Sequence, residues 1–271
     1  MNQILVRGED FALTEQDIDT ALASVGVRPG QTLVVHSSLF NLGALGDVRD
    51  KNEFAAAFLR PLERAVGPEG TLLLPTFTFS FFGTRLFDHD DGPSESGLLS
   101  EAARTAPGYA RTLHPVYSYA VKGRLARTFL DCRDDTSFGP GSVYDRMHEI
   151  GRTREDVHFL ILGEACPPRV LSYVHYLEQK FDVPYRALIR VEGLRRRAGQ
   201  EEPVATDFYG RNRDERIAYD ERAVWDIWTA AKAASFVPLG ASLLCRAPEP
   251  AVHDATLAAL ADNPRALYRQ L

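Results

Sequence analysis

The chain has 271 residues, 45% of them hydrophobic and 25% charged, with a formal net charge of −6 at pH 7. This apolar content suffices for one sizeable core, the charged fraction leaves no segment disordered on composition, and the acidic balance argues against a nucleic-acid binder. The three cysteines, Cys132, Cys166 and Cys245, are odd in number and lack metal-ligand spacing, so a reduced cytoplasmic chain without disulfides or a bound metal is expected. Met1–Arg7 lacks the apolar core of a signal peptide, and no apolar run approaches the roughly 18–20 residues that span a bilayer. Neither a membrane nor a nucleic acid is expected as a partner.

Helices and strands alternate along most of the chain. Thr14 suits an N-cap for a helix with Ile18, Leu22 and Val25 on one face, closed by Pro29-Gly30. Residues 32–35 predict a strand, 50–66 a helix with Phe54, Phe58, Leu62 and Val66 on one face, and 71–74 a second strand. This βαβ unit predicts a right-handed crossover between parallel strands. The segment 76–93 carries Phe77, Phe79, Phe81, Phe82 and Phe87, then Asp88, His89, Asp90 and Asp91, without a clear period. It reads either as a substrate-facing loop or as a packed Ω-loop. Ser96 opens a short helix to Arg104, residues 117–121, 157–162 and 185–191 read as strands, and 142–150 and 170–181 read as helices. The charged stretch 192–203 suits an exposed hairpin turn. Residues 214–234 are expected to be mostly helix, 236–245 a strand region and 250–260 a closing helix. No repeat or linker divides the chain, so one domain over 1–271 is expected.

The apolar run Thr32-Leu33-Val34-Val35 stops at His36-Ser37-Ser38, and Thr71-Leu72-Leu73-Leu74 stops at Pro75-Thr76. Polar groups at the carboxyl ends of buried strands mark the usual ligand cleft of open α/β sheets. On the helix after strand 157–162, His175 and Glu178 are three apart and share a face. A neutral imidazole there can take a proton from an incoming amine while the carboxylate orients it; a surface ion pair is the plainer alternative. Arg111 can give a forked contact to a phosphate, with His114 and Ser118 adding hydrogen bonds, unless the segment is simply a surface turn. Thr136-Ser137-Phe138-Gly139-Pro140-Gly141-Ser142 makes a tight loop before a helix, suited to an anion or a close ligand. No Walker sequence, G-x-G-x-x-G, G-x-S-x-G or zinc-ligand spacing occurs.

Taken in order, these pieces resemble the aminoglycoside 3-N-acetyltransferase family. The likeness is carried by Val34-Val35-His36-Ser37-Ser38-Leu39 with Leu42-Gly43, by Gly70 to Thr76, and by Arg111 to Ser118. It continues through Ser137 to Ser142, Leu171 to Glu178 and Val183-Pro184-Tyr185-Arg186, and covers residues 15–190. It implies an acyl-CoA-dependent N-acyltransferase, with acetyl-CoA as the first candidate donor and no metal. It also implies a three-layer α/β/α sandwich around a mainly parallel central sheet, with a smaller C-terminal extension, unlike the common GNAT-type acetyltransferases. The position matching His175 is the family's catalytic base and Glu178 matches the acidic residue after it. Ser37, Ser38, Thr76, Arg111, His114 and Ser118 match positions lining the cleft for the pantetheine arm and phosphates of CoA. Donors beside His36 are expected to hold the oxyanion of the tetrahedral intermediate.

Two departures bear on the acceptor. Phe77 stands where antibiotic-resistance members usually carry a polar residue, and the stretch from Phe208-Tyr209-Gly210 to Leu267 looks closer to relatives that acylate nucleotide-linked amino sugars or natural-product intermediates. Such an amine is the expected acceptor, with Phe77, Phe79, Asp88 and Asp90 as substrate-binding candidates. The alternative within the same chemistry is a resistance enzyme, whose polybasic acceptor wants carboxylates such as Asp88, Asp90, Asp91 and Glu95 at the cleft. A non-catalytic CoA-binding protein, and a hydrolase with Ser37 or Ser38 as nucleophile and His36 or His175 as base, are the alternatives from other classes. The Phe-rich segment either lines the acceptor pocket or packs against a second subunit in a homodimer.

Overall fold

Alternating apolar residues on three adjacent strands build the core. In the computed structural model, which describes residues 3–153, 156–212 and 214–271, Leu33, Val35, Leu72, Leu74, Leu160 and Leu162 enter one buried cluster. Their neighbours Val34, Leu73, Phe159 and Ile161 enter another. Successive side chains of a strand point to opposite faces, so each face of the sheet carries its own core.

In chain order the strands are β1 (Val6–Arg7), β2 (Ala12–Leu13), β3 (Thr32–Ser37), β4 (Ala44–Leu45), β5 (Thr71–Pro75), β6 (Leu86–Asp88), β7 (Ala110–Arg111) and β8 (Tyr119–Gly123). They continue as β9 (Val157–Leu162), β10 (Arg186–Arg197), β11 (Gln200–Arg211), β12 (Ile217–Tyr219), β13 (Ser235–Leu239), β14 (Ser242–Pro248) and β15 (Tyr268–Gln270). The helices are α1 (Glu15–Ser24), α2 (Lys51–Val66), α3 (Phe81–Thr84), α4 (Leu98–Thr105), α5 (Ala126–Leu130), α6 (Val143–Gly151), α7 (Tyr173–Phe181), α8 (Glu221–Ala230) and α9 (Glu249–Asp262). Thr14 is the N-cap of α1, as expected, and forms a capping box with Asp17. Residues of α1, α2 and α4 fill the first cluster, and residues of α6, α7, α8 and α9 fill the second.

The main sheet runs β13-β14-β9-β3-β5-β8-β7. Only β9–β3 and β3–β5 pair in parallel, while β13–β14, β14–β9, β5–β8 and β8–β7 are antiparallel. The expected mainly parallel sheet is therefore corrected to a mixed one. The reason lies between β5 and β8. Thr76 N–H donates to the Ser118 carbonyl and Thr78 N–H to that of Val116, at 2.8 and 3.0 Å. The chain thus re-enters β8 at the end where it left β5, without the crossover that a parallel return requires.

The stretch 192–203 is likewise not a turn but the body of a hairpin. β10 and β11 pair from Arg186↔Arg211 to Arg197↔Gln200, and only Ala198 and Gly199, with φ of +50° and +73°, make the turn. Opposite charges such as Arg195–Glu202, at 2.8 Å, decorate the strands, which is why they read as a loop. The Phe-rich segment supplies α3 and β6, and β6 pairs in parallel with β10. In 214–234 the helix is limited to α8, because Ile217–Tyr219 pairs instead with β15.

The carboxyl ends of β3, β5 and β9 meet at one edge of the sheet. Gly163, just past β9, has φ +82°, and a Cβ there would lie 2.3 Å from the Ser38 carbonyl oxygen. A Gly163→Ala change is expected to cost about 1–3 kcal/mol in urea unfolding, because both the backbone conformation and the Ser38 carbonyl oppose the methyl group. Wild-type stability in that variant would show that the approach of Ser38 to Gly163 is not needed.

Candidate active site

A cleft of about 640 Å³ opens at those strand ends, and His36, Ser37 and Ser38 border it together with His175. Phe77 and Phe79 line it as well, so six of the expected site residues meet around one space. Phe77 is buried, packing edge-on against Tyr117 and Tyr119, whereas Phe79 is 45% exposed.

His175 lies in the first turn of α7, with a side chain 29% exposed, and its Nδ1 is 2.7 Å from Glu178 Oε2. The acceptor-only carboxylate, closer to Nδ1 than the Arg186 Nη2 donor at 3.0 Å, favours the ring proton on Nδ1 and leaves the Nε2 lone pair free. Glu178 has no exposed side-chain surface and is held by two further groups. Arg186 Nε is 2.8 Å from Oε2, and the Tyr185 hydroxyl donates to Oε1 at 3.1 Å. Arg186 Nη2 also donates to the Tyr268 hydroxyl at 2.7 Å. Burial, then the Arg186 charge, lowers the His175 pKa below the ordinary 6.5, and Glu178 opposes them. The imidazole is neutral at pH 7, as a base must be.

Ser38 is also engaged. Its hydroxyl donates to Glu164, which also accepts from Asn41 Nδ2 at 3.3 Å. Ser38 therefore presents lone pairs rather than a proton to the cleft. His36 is buried with Nε2 unpartnered, and burial pushes its pKa down to about 4. Among the described residues no serine hydroxyl is hydrogen-bonded to a histidine ring at the cleft, so the nucleophile–base pair that a serine hydrolase needs is missing.

The remaining candidates, Glu95 apart, lie elsewhere. Arg111 is no phosphate fork: its guanidinium is buried and its donors go to Ser118 Oγ at 3.0 Å, the Thr76 carbonyl at 2.7 Å, Thr78 Oγ1 at 2.9 Å and the Gly92 carbonyl at 2.7 Å. Thr76 and Ser118 bond to each other at 3.0 Å behind the cleft. His114 Nδ1 accepts from Val116 N and Tyr117 N at 3.1 and 2.8 Å, while Nε2 is 2.9 Å from Thr206 Oγ1. Burial pushes its pKa down to about 3, which makes it a neutral tie between β11 and the turn before β8. Asp88 pairs with Arg196 at 3.2 Å, and Asp90 accepts from Ala198 N at 2.6 Å, so both brace the hairpin rather than border the cleft. Glu95 does border it, with its carboxylate accepting from Phe79 N and Ser80 N at 2.8 and 3.1 Å.

Sequence reasoning missed Glu164 and Tyr268 as site residues, and Arg186 as the second partner of Glu178. Glu164 follows directly on a strand end, which was a usable signal; Tyr268 is 93 residues from His175 and gave none. Among the described residues no group of His, Cys, Asp and Glu could hold a metal ion, and no helix is long and apolar enough to cross a membrane.

The family model for aminoglycoside 3-N-acetyltransferases matches residues 34–259. The chain belongs to that family. The match extends well past residue 190, so the C-terminal third belongs to the family domain too. The aminoglycoside N(3)-acetyltransferase III of a Salmonella species is 29% identical over 198 residues, covering 66% of this chain and 65% of that relative. The chain thus spans just under two thirds of that relative's length. Two solved acetyltransferases share the fold: AAC-IIIb as a binary complex with CoASH, and AAC-VIa bound to sisomicin. Each has a TM-score of 0.75 and 20% identity, and covers 92% of this chain and 97% of the other.

Replacing Arg111 by Met leaves several carbonyls and hydroxyls without their donor and is expected to lower stability by about 3 kcal/mol in urea titration. The affinity for acetyl-CoA, measured by calorimetry on the folded variant, is expected to stay unchanged. Lost CoA affinity with full stability would restore the phosphate role.

Proposed function

We propose that the protein is an acetyl-CoA-dependent N-acetyltransferase that acts on the amine of an amino sugar, within one domain over 1–271. The observation that carries this reading is a neutral histidine, backed by a buried carboxylate, on the wall of a cleft at the strand ends of an aminoglycoside 3-N-acetyltransferase fold. The CoA-bound and sisomicin-bound neighbours support an acyl-CoA donor and a small-molecule amine acceptor. The relatives' names favour aminoglycosides over nucleotide-linked sugars. The strand alternation supports the three-layer reading of the fold.

An ammonium has no lone pair, so the acceptor must lose a proton to attack. One proton of the ammonium goes to water, and His175 Nε2 takes a second from the nitrogen as the free amine bonds to the thioester carbon. Glu178 stabilises the imidazolium, and Arg186 and Tyr185 keep Glu178 in place. Ser37, whose hydroxyl has no partner among the described residues, lies at the end of β3 where the oxyanion needs a donor. When the intermediate collapses, the carbon–sulfur bond breaks and the leaving thiolate takes the proton back from His175. No covalent acyl-enzyme is required, and CoA is released as the free thiol.

In assays of thiol release from acetyl-CoA with aminoglycosides and amino sugars, His175→Ala is expected to lower kcat about 10²–10⁴-fold with CoA affinity retained. Turnover that survives the substitution would remove His175 from the mechanism. In the wild type, kcat/KM is expected to fall on acidification as His175 takes a proton. Because its pKa is held below 6.5, activity should persist at pH 6.5 and be lost only at lower pH. An acid limb above 7 would contradict the burial of the ring.

A further inference from the structure

A second cavity, of about 350 Å³, meets the main cleft at His175, and its charged lining is cationic. Arg169, Arg186 and Arg211 border it together with Tyr219 and Tyr268, and no carboxylate is among the described residues that do. Arg186 and Arg211 are direct cross-strand partners at the base of the β10–β11 hairpin. Like charges placed opposite each other on a sheet repel. Glu178 offsets Arg186 at 2.8 Å, and Glu221 lies 3.8 Å from Arg169, whose side chain is 65% exposed. Arg211 has no such counterpart among the described residues, and its Nη1 donates to the Ile217 carbonyl at 2.8 Å.

We infer that this cavity receives the acceptor and that the acceptor carries an anionic group, a phosphate or carboxylate, a few bonds from the reacting amine. The inference rests on the transferase reading and departs from the aminoglycosides that the relatives' names favour. A polyamine is disfavoured at the second cavity, which is lined by arginines; of the acidic candidates, Asp88 and Asp90 brace the hairpin and Glu95 alone borders the main cleft. The phosphates of CoA are a poor fit for the same arginines. The whole pantetheine arm separates them from the sulfur, whereas Arg186 Nη2 is 3.0 Å from His175 Nδ1. Arg186 adds charge, its donors going to Glu178, Tyr268 and the Tyr209 carbonyl, and with the thioester carbon at His175 an anion held by Arg211 beside it belongs to the other reactant. Guanidinium groups bind phosphate and carboxylate through paired hydrogen bonds, and Tyr219 and Tyr268 add ring surface for a sugar.

The test is a matched acceptor set: glucosamine, glucosamine 6-phosphate, muramic acid (glucosamine bearing a carboxylate) and the polycation sisomicin. Each is titrated into the CoA-loaded protein by calorimetry and assayed with acetyl-CoA. An anionic sugar is expected to bind at least about tenfold more tightly than glucosamine and sisomicin, with the better of the two identifying phosphate or carboxylate. Arg211→Gln, and Arg169→Gln on the exposed rim, are expected to abolish that preference and to raise KM for the anionic sugar rather than for acetyl-CoA. Equal or tighter binding of glucosamine or sisomicin overturns the inference. A rise in KM for acetyl-CoA alone in Arg211→Gln assigns the cavity to CoA and overturns it too. If an anionic sugar binds through Arg211 but none of the acceptors is acetylated, the transferase reading fails while the anion site stands.

Discussion

The site depends on one buried carboxylate. Glu178 has no exposed side-chain surface, and an uncompensated charge in that position would be strongly destabilising. It is compensated by groups from separate parts of the chain: His175 on its own helix, Tyr185 before β10, and Arg186 in β10. Arg186 in turn holds the Tyr268 hydroxyl on β15. The requirement to satisfy Glu178 thus draws α7, the base of the hairpin and the last strand together. The same contacts set the His175 tautomer, so stability and acid–base chemistry share one cluster.

The strand ends were legible because the sequence changes character abruptly there, from Val34-Val35 to His36-Ser37-Ser38. Helix α2 was legible from its four-residue spacing and its Asp50 cap, which accepts from Asn52 N and Glu53 N at 2.9 and 2.8 Å. Strand direction was not. Whether β8 returns parallel or antiparallel to β5 is decided by the path of some forty residues between them, and periodicity carries no such information. The hairpin was hidden for a different reason. Both strands carry charges that pair across the ladder, and Arg195-Arg196-Arg197-Ala198-Gly199 reads as solvated loop until its partner is known.

Among polar residues, what sequence could not separate was a ligand contact from a structural tie. Arg111, His114, Thr76 and Ser118 have the residue types of an anion site, yet each is buried and each has its hydrogen-bonding capacity met within the protein. They hold the long excursion after β5 against β8 and the hairpin, and so shape the cleft from behind. His175 and Glu178 have an equally ordinary spacing on a helix. What distinguishes them is that the imidazole reaches an open cleft while the carboxylate is sealed behind it.

The two cavities draw on different parts of the fold. The main cleft is lined from β3, β5 and the segment after β5, whereas the second takes Arg186 and Arg211 from the hairpin and Tyr219 and Tyr268 from the β12–β15 pair. Only the segment from Arg169 to His175 serves both. Substitutions at the rim of the second cavity can therefore change its charge without moving the imidazole or the strand ends of the main cleft. Arg186 is the exception, since it serves Glu178 and the cavity wall together. A fold arranged this way keeps the imidazole and its carboxylate fixed while the charge of the cavity beside them varies.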